Sequence, residues 1–176
     1  MQNSQNCNES ILNPTDMSTS LFTAVKNNDL ELVKKLIEKG ADVNQTDSSG
    51  NSFLIVSAAN GQTEMVKLLL NSGADIHALD SSMKATALHA AAYLKHPEVM
   101  KILIEHDIDI DAQGPYNGYT ALHDAVWQNN IEGVRLLVNA GAKLNIKGKD
   151  GYTPLELAKK SGHKDIVAIL SKQKPE

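Results

Sequence analysis

The fold is decided by residues 120–145, which read TALHDAVWQNNIEGVRLLVNAGAKLN. The Thr120 hydroxyl is placed to cap the free N–H groups at the start of a short helix. Val134 and Leu137 are three residues apart and so lie on one face of a second helix. Gly141 follows that second helix, at the position where a glycine in the left-handed region commonly ends a helix. The stretch therefore predicts two short helices followed by a turn.

The same pattern recurs along the chain at an almost constant step. The turn after the second helix returns about every 34 residues, at Gly40, Gly73, Asp107 and Gly141. The start of the first helix returns at the same period, at Ser52, Thr86, Thr120 and Thr153. Two independent sets of markers at one period indicate internal repeats. No single unit can bury its apolar face alone, so the units are expected to stack.

The apolar residues of each unit are expected to form this shared core. The first helices carry a leucine at equivalent positions, namely Leu54, Leu88, Leu122 and Leu155. The second helices carry apolar pairs, namely Val33 with Leu36, Val66 with Leu69, Val99 with Ile102, Val134 with Leu137, and Val167 with Leu170. Members of a pair are three residues apart and therefore share a helix face.

The unit resembles the ankyrin repeat, through Thr-Ala-Leu-His at residues 86–89 and 120–123 and Gly-Ala-Asp at residues 40–42 and 73–75. The resemblance implies an all-α solenoid of stacked helix-turn-helix units with short β-hairpin-like loops. Five repeats are expected, at 18–47, 48–80, 81–113, 114–148 and 149–172, and the first and last are the caps. The polar composition of residues 1–17 predicts a disordered leader, and residues 173–176 a polar tail.

Repeat three departs most from the pattern. The hairpins of repeats three and four are each one residue longer than the hairpin of repeat two. They lie at residues 80–85 and 113–118, and both tips are expected to be irregular. Lys95 and Asp107 stand where the family pattern has glycine; an Asp tolerates the left-handed conformation at some cost. Such departures are explained equally well by function or strain, on the one hand, and by drift within a natural repeat, on the other.

Charge and composition exclude several classes of protein. The 17 Lys and Arg residues against 21 Asp and Glu give a net charge of −4, which argues against a nucleic-acid binder. No apolar run approaches the ~20 residues that span a bilayer, and the first residues lack the apolar segment of a secretory signal. Cys7 is the single cysteine, which suits a reducing compartment. We expect a cytoplasmic chain that is monomeric in isolation, although a protein exported by specialised secretion would look the same.

No catalytic, cofactor or metal site is predicted. Asp107, Asp109 and Asp111 resemble the start of an EF-hand loop, but Ala112 and Gly118 stand where that loop needs Gly and Glu. Neither a phosphate-binding glycine loop nor a serine-nucleophile motif occurs. The six histidines match no zinc-ligand spacing.

The family resemblance assigns structural roles to several polar residues. It implies that His89 and His123 tie neighbouring repeats together by hydrogen bonds. Asn44 and Asn145 occupy the Asn position of the hairpin, which a dioxygenase hydroxylates in some eukaryotic members. Side chain to backbone bonds that hold the turn are the preferred interpretation for both residues.

The aromatic residues indicate where a partner binds. Solenoids use a continuous concave face, and the resemblance assigns it to the first helices and hairpin tips. Tyr93 and Trp127 are separated by one repeat period and so occupy equivalent sites on adjacent repeats. Ten partner-binding residues are expected: Asn60, Met83, Tyr93, Leu94, Tyr116, Tyr119, Asp124, Trp127, Gln128 and Tyr152. Tyr and Trp dominate interface hot spots, but packing on a neighbouring repeat is the alternative for each ring.

These observations predict a non-enzymatic protein–protein interaction module. It would bind a protein partner through its concave face and act by inhibition, recruitment or scaffolding. One alternative is an enzyme or cofactor-binding protein with an unrecognised site. Others are a secreted effector that acts on a host protein through the same face, or a structural fragment of a larger ankyrin protein.

Overall fold

A computed structural model describes residues 14–47, 49–81, 84–114 and 116–173, with side chains from residue 19 onward. Within these ranges the chain forms ten helices and no strand, although an isolated antiparallel bridge joins Thr46 and Ser52. The helices are α1 (Pro14–Lys26), α2 (Leu30–Glu38), α3 (Phe53–Ala59), α4 (Thr63–Asn71), α5 (Ala87–Tyr93), α6 (Pro97–Glu105), α7 (Ala121–Trp127), α8 (Ile131–Asn139), α9 (Pro154–Lys160) and α10 (Lys164–Leu170).

The helices form five pairs that stack in chain order. The first helices, α1, α3, α5, α7 and α9, pack side by side in one row. The second helices, α2, α4, α6, α8 and α10, pack in a second row behind it. The predicted all-α repeat solenoid is therefore confirmed. None of the helices in the described ranges is both long enough and apolar enough to cross a membrane.

Short caps explain where the first helices begin. The side chain of Ser52 accepts a hydrogen bond from the backbone N–H of Ile55 at 3.2 Å. Thr153 forms a capping box with Glu156, whose carboxylate accepts from the Thr153 backbone N–H at 2.8 Å. Such caps satisfy backbone donors that have no partner inside the helix. Helices of two turns need this help because isolated helices of that length are not stable in water.

Alternating large and small apolar side chains build the core. Leu54, Leu88 and Leu122 are buried as expected, whereas Leu155 is only partly buried. No further repeat in the described ranges packs over it. The apolar pairs of the second helices are buried in the first four repeats, and in the fifth Leu170 is buried while Val167 is partly buried. Fully buried alanines on α5 and α7 let adjacent helices approach closely.

Turns at three positions of the repeat require a left-handed backbone. Asp107 has φ 58° where three other repeats have glycine, in agreement with the sequence expectation. Lys95 has φ 63° between α5 and α6, where Gly61 has φ 67°. Lys84 likewise has φ 52° in the hairpin of repeat three. A non-glycine residue in this region costs energy, so repeat three carries strain at three turns.

The hairpins of repeats three and four contain the extra residue expected from the sequence. The backbone bond that closes the hairpin joins Asp80 to Ala85 in repeat three and Gly114 to Tyr119 in repeat four, a separation of five residues. In repeats two and five the corresponding bonds, Asp47 to Asn51 and Gly148 to Tyr152, span four residues.

The N-terminal boundary differs from the expectation. Helix α1 begins at Pro14, so the boundary drawn between residues 17 and 18 falls inside it. The remainder of the proposed leader, residues 1–13 with Cys7, lies outside the described residues, as do residues 174–176 of the tail.

Candidate functional site

Three exposed apolar side chains lie at the ends of adjacent first helices. Tyr93 and Leu94, at the end of α5, are each 46% exposed, and Trp127, the last residue of α7, is 54% exposed. We call these three residues the apolar ridge. Gln128 follows Trp127 as Leu94 follows Tyr93. Asn60 is the residue of repeat two that is equivalent to Leu94 and Gln128. Single exposed apolar residues are ordinary, but neighbouring ones form the kind of patch that marks an interaction surface.

The hairpin tips contribute one further exposed ring. Tyr116, in the long hairpin of repeat four, is 74% exposed, the largest value among the exposed large apolar residues of the described ranges. Met83, the expected contact from the hairpin of repeat three, lies outside the described residues. The Tyr116 ring is therefore largely open to solvent.

Tyr119 is mainly a packing residue. It is 9% exposed, its ring stacks on His123 with centroids 4.9 Å apart, and its hydroxyl donates to the Asp150 carboxylate at 2.8 Å. Burial, followed by the bond to Asp150, raises the pKa of Tyr119 to about 12. A Cβ on Gly148 would lie 2.6 Å from the Tyr119 ring, so this packing requires glycine there. Of the two roles open from sequence, the contacts favour packing between repeats four and five.

Tyr152, the equivalent residue one repeat later, has different surroundings. Its side chain is partly buried, and the Lys160 ammonium lies 4.1 Å from its ring centroid. Its backbone carbonyl accepts a hydrogen bond from His123. No further repeat in the described ranges covers its ring, so Tyr152 lies at the end of the described stack of repeats.

A groove crosses the first helices of repeats two, three and four. Its volume is about 510 Å³. The lining residues come from α3, α5, α7 and three hairpins: Asn51, Ile55, Val56, Ala59, Asn60, Asp80, Ala85, His89, Ala90, Tyr93, Gly114, Asn117 and Asp124. Three of the expected contacts, Asn60, Tyr93 and Asp124, lie in this wall, whereas Trp127 and Tyr152 do not. The groove therefore begins in repeat two, one repeat before the aromatic residues expected to bind a partner, which lie in repeats three to five.

Asp124, on α7, is an acidic residue in the wall of the groove. Burial raises the pKa of its carboxyl to about 7. The side chain makes no hydrogen bond and no ion pair within the described part of the chain. Carboxylates in such surroundings are frequent at functional sites, because stability alone does not favour them.

His89 and His123 connect neighbouring repeats, as the family resemblance implies. In each ring Nδ1 accepts from a threonine at the helix start; for His123 this is the Thr120 backbone N–H at 3.2 Å. Nε2 lies 3.1 Å from the carbonyl oxygen of Tyr119 for His89, and of Tyr152 for His123. A carbonyl can only accept, so each Nε2 carries the proton and each ring is neutral. Burial lowers the pKa of both imidazoles and maintains that state.

A second set of inter-repeat contacts was missed by the sequence reasoning. The residue just before the second helix reaches back to the preceding repeat in repeats two, three and four. Gln62 Nε2 donates to the Lys26 carbonyl at 3.4 Å, Asn130 Nδ2 donates to the Ala92 carbonyl at 3.0 Å, and His96 Nε2 lies 3.0 Å from the Ala59 carbonyl oxygen. Asn44, for which side chain to backbone bonds were expected, reaches forward instead: its side chain accepts from the Asp75 backbone N–H at 2.7 Å and donates to the Gly73 carbonyl at 3.0 Å, so it joins repeat one to repeat two. The signal available in the sequence was a polar residue recurring at the repeat period before each second helix.

A metal site needs several His, Cys, Asp or Glu side chains close together. In the described ranges no three His, Cys, Asp or Glu side chains come together as a metal site. Asp111, part of the EF-hand-like segment, accepts the backbone N–H of Lys143 at 2.9 Å and pairs with its ammonium at 3.5 Å. This carboxylate therefore links repeats three and four.

Comparison with known families agrees with this architecture. A sequence model described as ankyrin repeats (3 copies) matches residues 1–80 and 78–148. No curated protein matches the chain. Ankyrin repeats are generally protein–protein interaction modules and are typically not enzymes. Because the matched segments cover most of the chain, and ten helices in the described ranges stack at the same period, the chain belongs to the ankyrin-repeat family.

Proposed function

We propose that the chain is a non-enzymatic module that binds a protein partner through the face formed by its first helices. The partner is held on the apolar ridge of Tyr93, Leu94 and Trp127 and along the groove beside it. The chain acts by occupying that partner, and so inhibits, recruits or scaffolds it.

The observation that carries the proposal is the exposure of large apolar residues at equivalent positions on adjacent repeats. Tyr93 and Trp127 each leave about half of their side chain open to solvent. Exposed rings of this size give an isolated chain no stability. A partner that covers them buries apolar surface, which contributes ~25 cal/mol of binding free energy per Å². Aromatic anchors of this kind carry much of the binding energy in protein interfaces.

An enzyme is the second candidate, and Asp124 is the observation that favours it. A carboxyl group with a pKa near neutrality inside a groove can act as a general base. Such chemistry needs a second group, and His89 is a candidate because it lines the same groove. Both of its ring nitrogens are already engaged, Nδ1 with the Thr86 backbone N–H of its own helix and Nε2 with the Tyr119 carbonyl of the next repeat. His89 therefore has no free ring nitrogen for proton transfer, which supports binding over catalysis.

The experiment is quantitative affinity capture with three tagged forms of the chain. The wild type, the Tyr93→Ala/Trp127→Ala variant and a Leu32→Ala variant are incubated with the same cell extract, and bound proteins are counted by mass spectrometry. Leu32 is a matched control because it is 40% exposed but lies on α2, in the second row of helices. A protein captured by the wild type and the control, and lost from the double variant, supports the proposal. Equal capture by all three forms contradicts it.

A further inference from the structure

One acidic side chain interrupts an otherwise apolar column in the groove. Asp124 is the repeat-four member of a series with Val56, Ala90 and Leu157, each one repeat period from the next. Val56, Ala90 and Asp124 all line the groove. A residue that departs from a local rule without a structural gain is a candidate for function. Asp124 fits that description because no described residue pairs with its carboxylate.

The groove has no cation of its own among the described residues to neutralise this carboxylate. Its other ionisable lining residues, apart from Tyr93, are Asp80 and His89. Asp80 accepts the Ala85 backbone N–H at 2.8 Å, and His89 is held neutral by its bonds to the Thr86 backbone N–H and the Tyr119 carbonyl. No Lys or Arg of the described ranges belongs to the wall. Above about pH 7, where this carboxyl is ionised, the free protein therefore presents a partly buried negative charge beside apolar surface, which is an unfavourable state that a cationic ligand would relieve.

We propose that Asp124 receives an arginine or lysine side chain of the protein partner, whose aliphatic stem lies against Val56, Ala90 and Tyr93. The proposal rests on the proposed function, since it names the chemistry of the partner segment that enters the groove.

The two halves of such a side chain match the two kinds of surface in the groove. Arginine and lysine carry a long apolar stem that packs on apolar surface while the charged end finds a carboxylate. A hydrogen bond between ionised partners is about twice as strong as a neutral one, and more so where water is partly excluded. The exposed Tyr93 ring adds a face on which a guanidinium can stack.

The test uses a defined probe rather than an unidentified partner. N-acetyl-arginine N-methylamide is titrated into ¹⁵N-labelled full-length protein at pH 8, where the Asp124 carboxyl is ionised, and backbone amide shifts are followed by NMR. The citrulline analogue is the matched neutral probe, because it replaces the guanidinium by a urea of nearly the same shape. The proteins are wild type, Asp124→Asn, and Glu98→Gln, in which an exposed carboxylate on α6 outside the groove is neutralised.

The expected result is a set of saturable shifts at Asp124, Ala90 and Ala59 in the wild type. We expect the arginine probe to bind about tenfold more tightly than the citrulline probe. A roughly tenfold ratio of dissociation constants is what a single charge-assisted hydrogen bond contributes. Asn at position 124 abolishes that preference, and Glu98→Gln retains it. The proposal is overturned by equal binding of the two probes, by absence of groove shifts, or by an unchanged preference in Asp124→Asn. A normal amide spectrum of Asp124→Asn shows that this variant is folded.

The two experiments distinguish a failure of the cation site from a failure of the proposed function. If the apolar ridge is required for partner capture but the groove shows no preference for arginine, this inference alone fails. If the groove prefers arginine but capture does not depend on Tyr93 and Trp127, the proposed binding face fails while the cation site stands.

Discussion

The Nε2 atom of His123 lies 3.1 Å from the carbonyl oxygen of Tyr152, so repeat four donates a hydrogen bond to repeat five. The same imidazole accepts the backbone N–H of Thr120 through Nδ1 at 3.2 Å. One neutral ring therefore caps its own helix and joins two repeats.

Replacing His123 by alanine is expected to destabilise the solenoid. The change removes both hydrogen bonds and leaves a space in a fully buried position, for a loss of about 2–4 kcal/mol in the free energy of unfolding. Urea unfolding followed by circular dichroism measures it. His77→Ala is the control, because His77 is exposed and should change stability by less than about 0.5 kcal/mol. A loss no larger than that of the control would remove the assigned role.

Ser57→Ala is expected to stabilise the protein. The Ser57 hydroxyl is fully buried and has no hydrogen-bond partner in the described ranges, and the equivalent residues of the next repeats are Ala91, Ala125 and Ala158. Removing an unsatisfied buried hydroxyl gains about 1 kcal/mol. Ser52→Ala provides the opposite case, since it removes a helix cap and should cost about 1 kcal/mol. Unfolding curves in which Ser57→Ala is no more stable than wild type would contradict this assignment.

Lys95→Gly is expected to raise stability although it shortens an exposed side chain. Lys95 has φ 63°, and glycine relieves the left-handed strain at the cost of a more flexible unfolded chain. The net gain is about 0.5 kcal/mol, measured as a higher urea midpoint. Lys101→Gly, inside α6, should instead lower stability by about 1 kcal/mol. If both variants lose stability alike, the turn carries no strain.

Much of the fold could be predicted because the repeat period fixes where apolar residues, caps and turns must lie. Val134 and Leu137, which are three residues apart on α8, are both fully buried. The left-handed backbone of Asp107 followed from its place in the glycine series.

The roles of the tyrosines could not be separated in the same way. Tyr119 and Tyr152 hold equivalent positions, but only Tyr119 is followed by a described repeat whose Gly148 and Asp150 receive its ring and hydroxyl. Asp124 was harder still, because its protonation depends on a groove built from three repeats. Sequence position identifies equivalent sites, and the neighbouring repeat decides what each site does.

Asp124→Asn is expected to gain stability relative to wild type as pH rises. The folded pKa is about 7 and the ordinary value is 3.8, so the folded protein holds an extra proton between these values. That proton stabilises the fold at low pH, and the contribution is lost as pH rises through about 7. Relative to wild type, the variant should therefore gain about 1–2 kcal/mol between pH 5 and pH 8, a figure reduced for the partial exposure of the carboxyl.

The comparison of the two proteins isolates this effect. The neighbouring ionisable groups of the groove, Asp80 and His89, and the nearby Tyr119 are present in both. The lowered pKa of His89 and His123 acts in the opposite direction, because their contribution is lost as pH falls below about 6.5. A difference in unfolding free energy that stays constant from pH 5 to pH 8 would show that Asp124 has an ordinary pKa.

The binding face is tested most directly by titration calorimetry with a purified protein that the affinity-capture experiment identifies as a partner. The account predicts that the Tyr93→Ala/Trp127→Ala variant binds about 100-fold or more weakly than wild type, since each aromatic anchor contributes at least about 1–2 kcal/mol. It predicts a Kd for Leu32→Ala within about twofold of wild type, because α2 lies outside the proposed face. A double variant that is folded by circular dichroism and binds with the wild-type Kd would contradict the account.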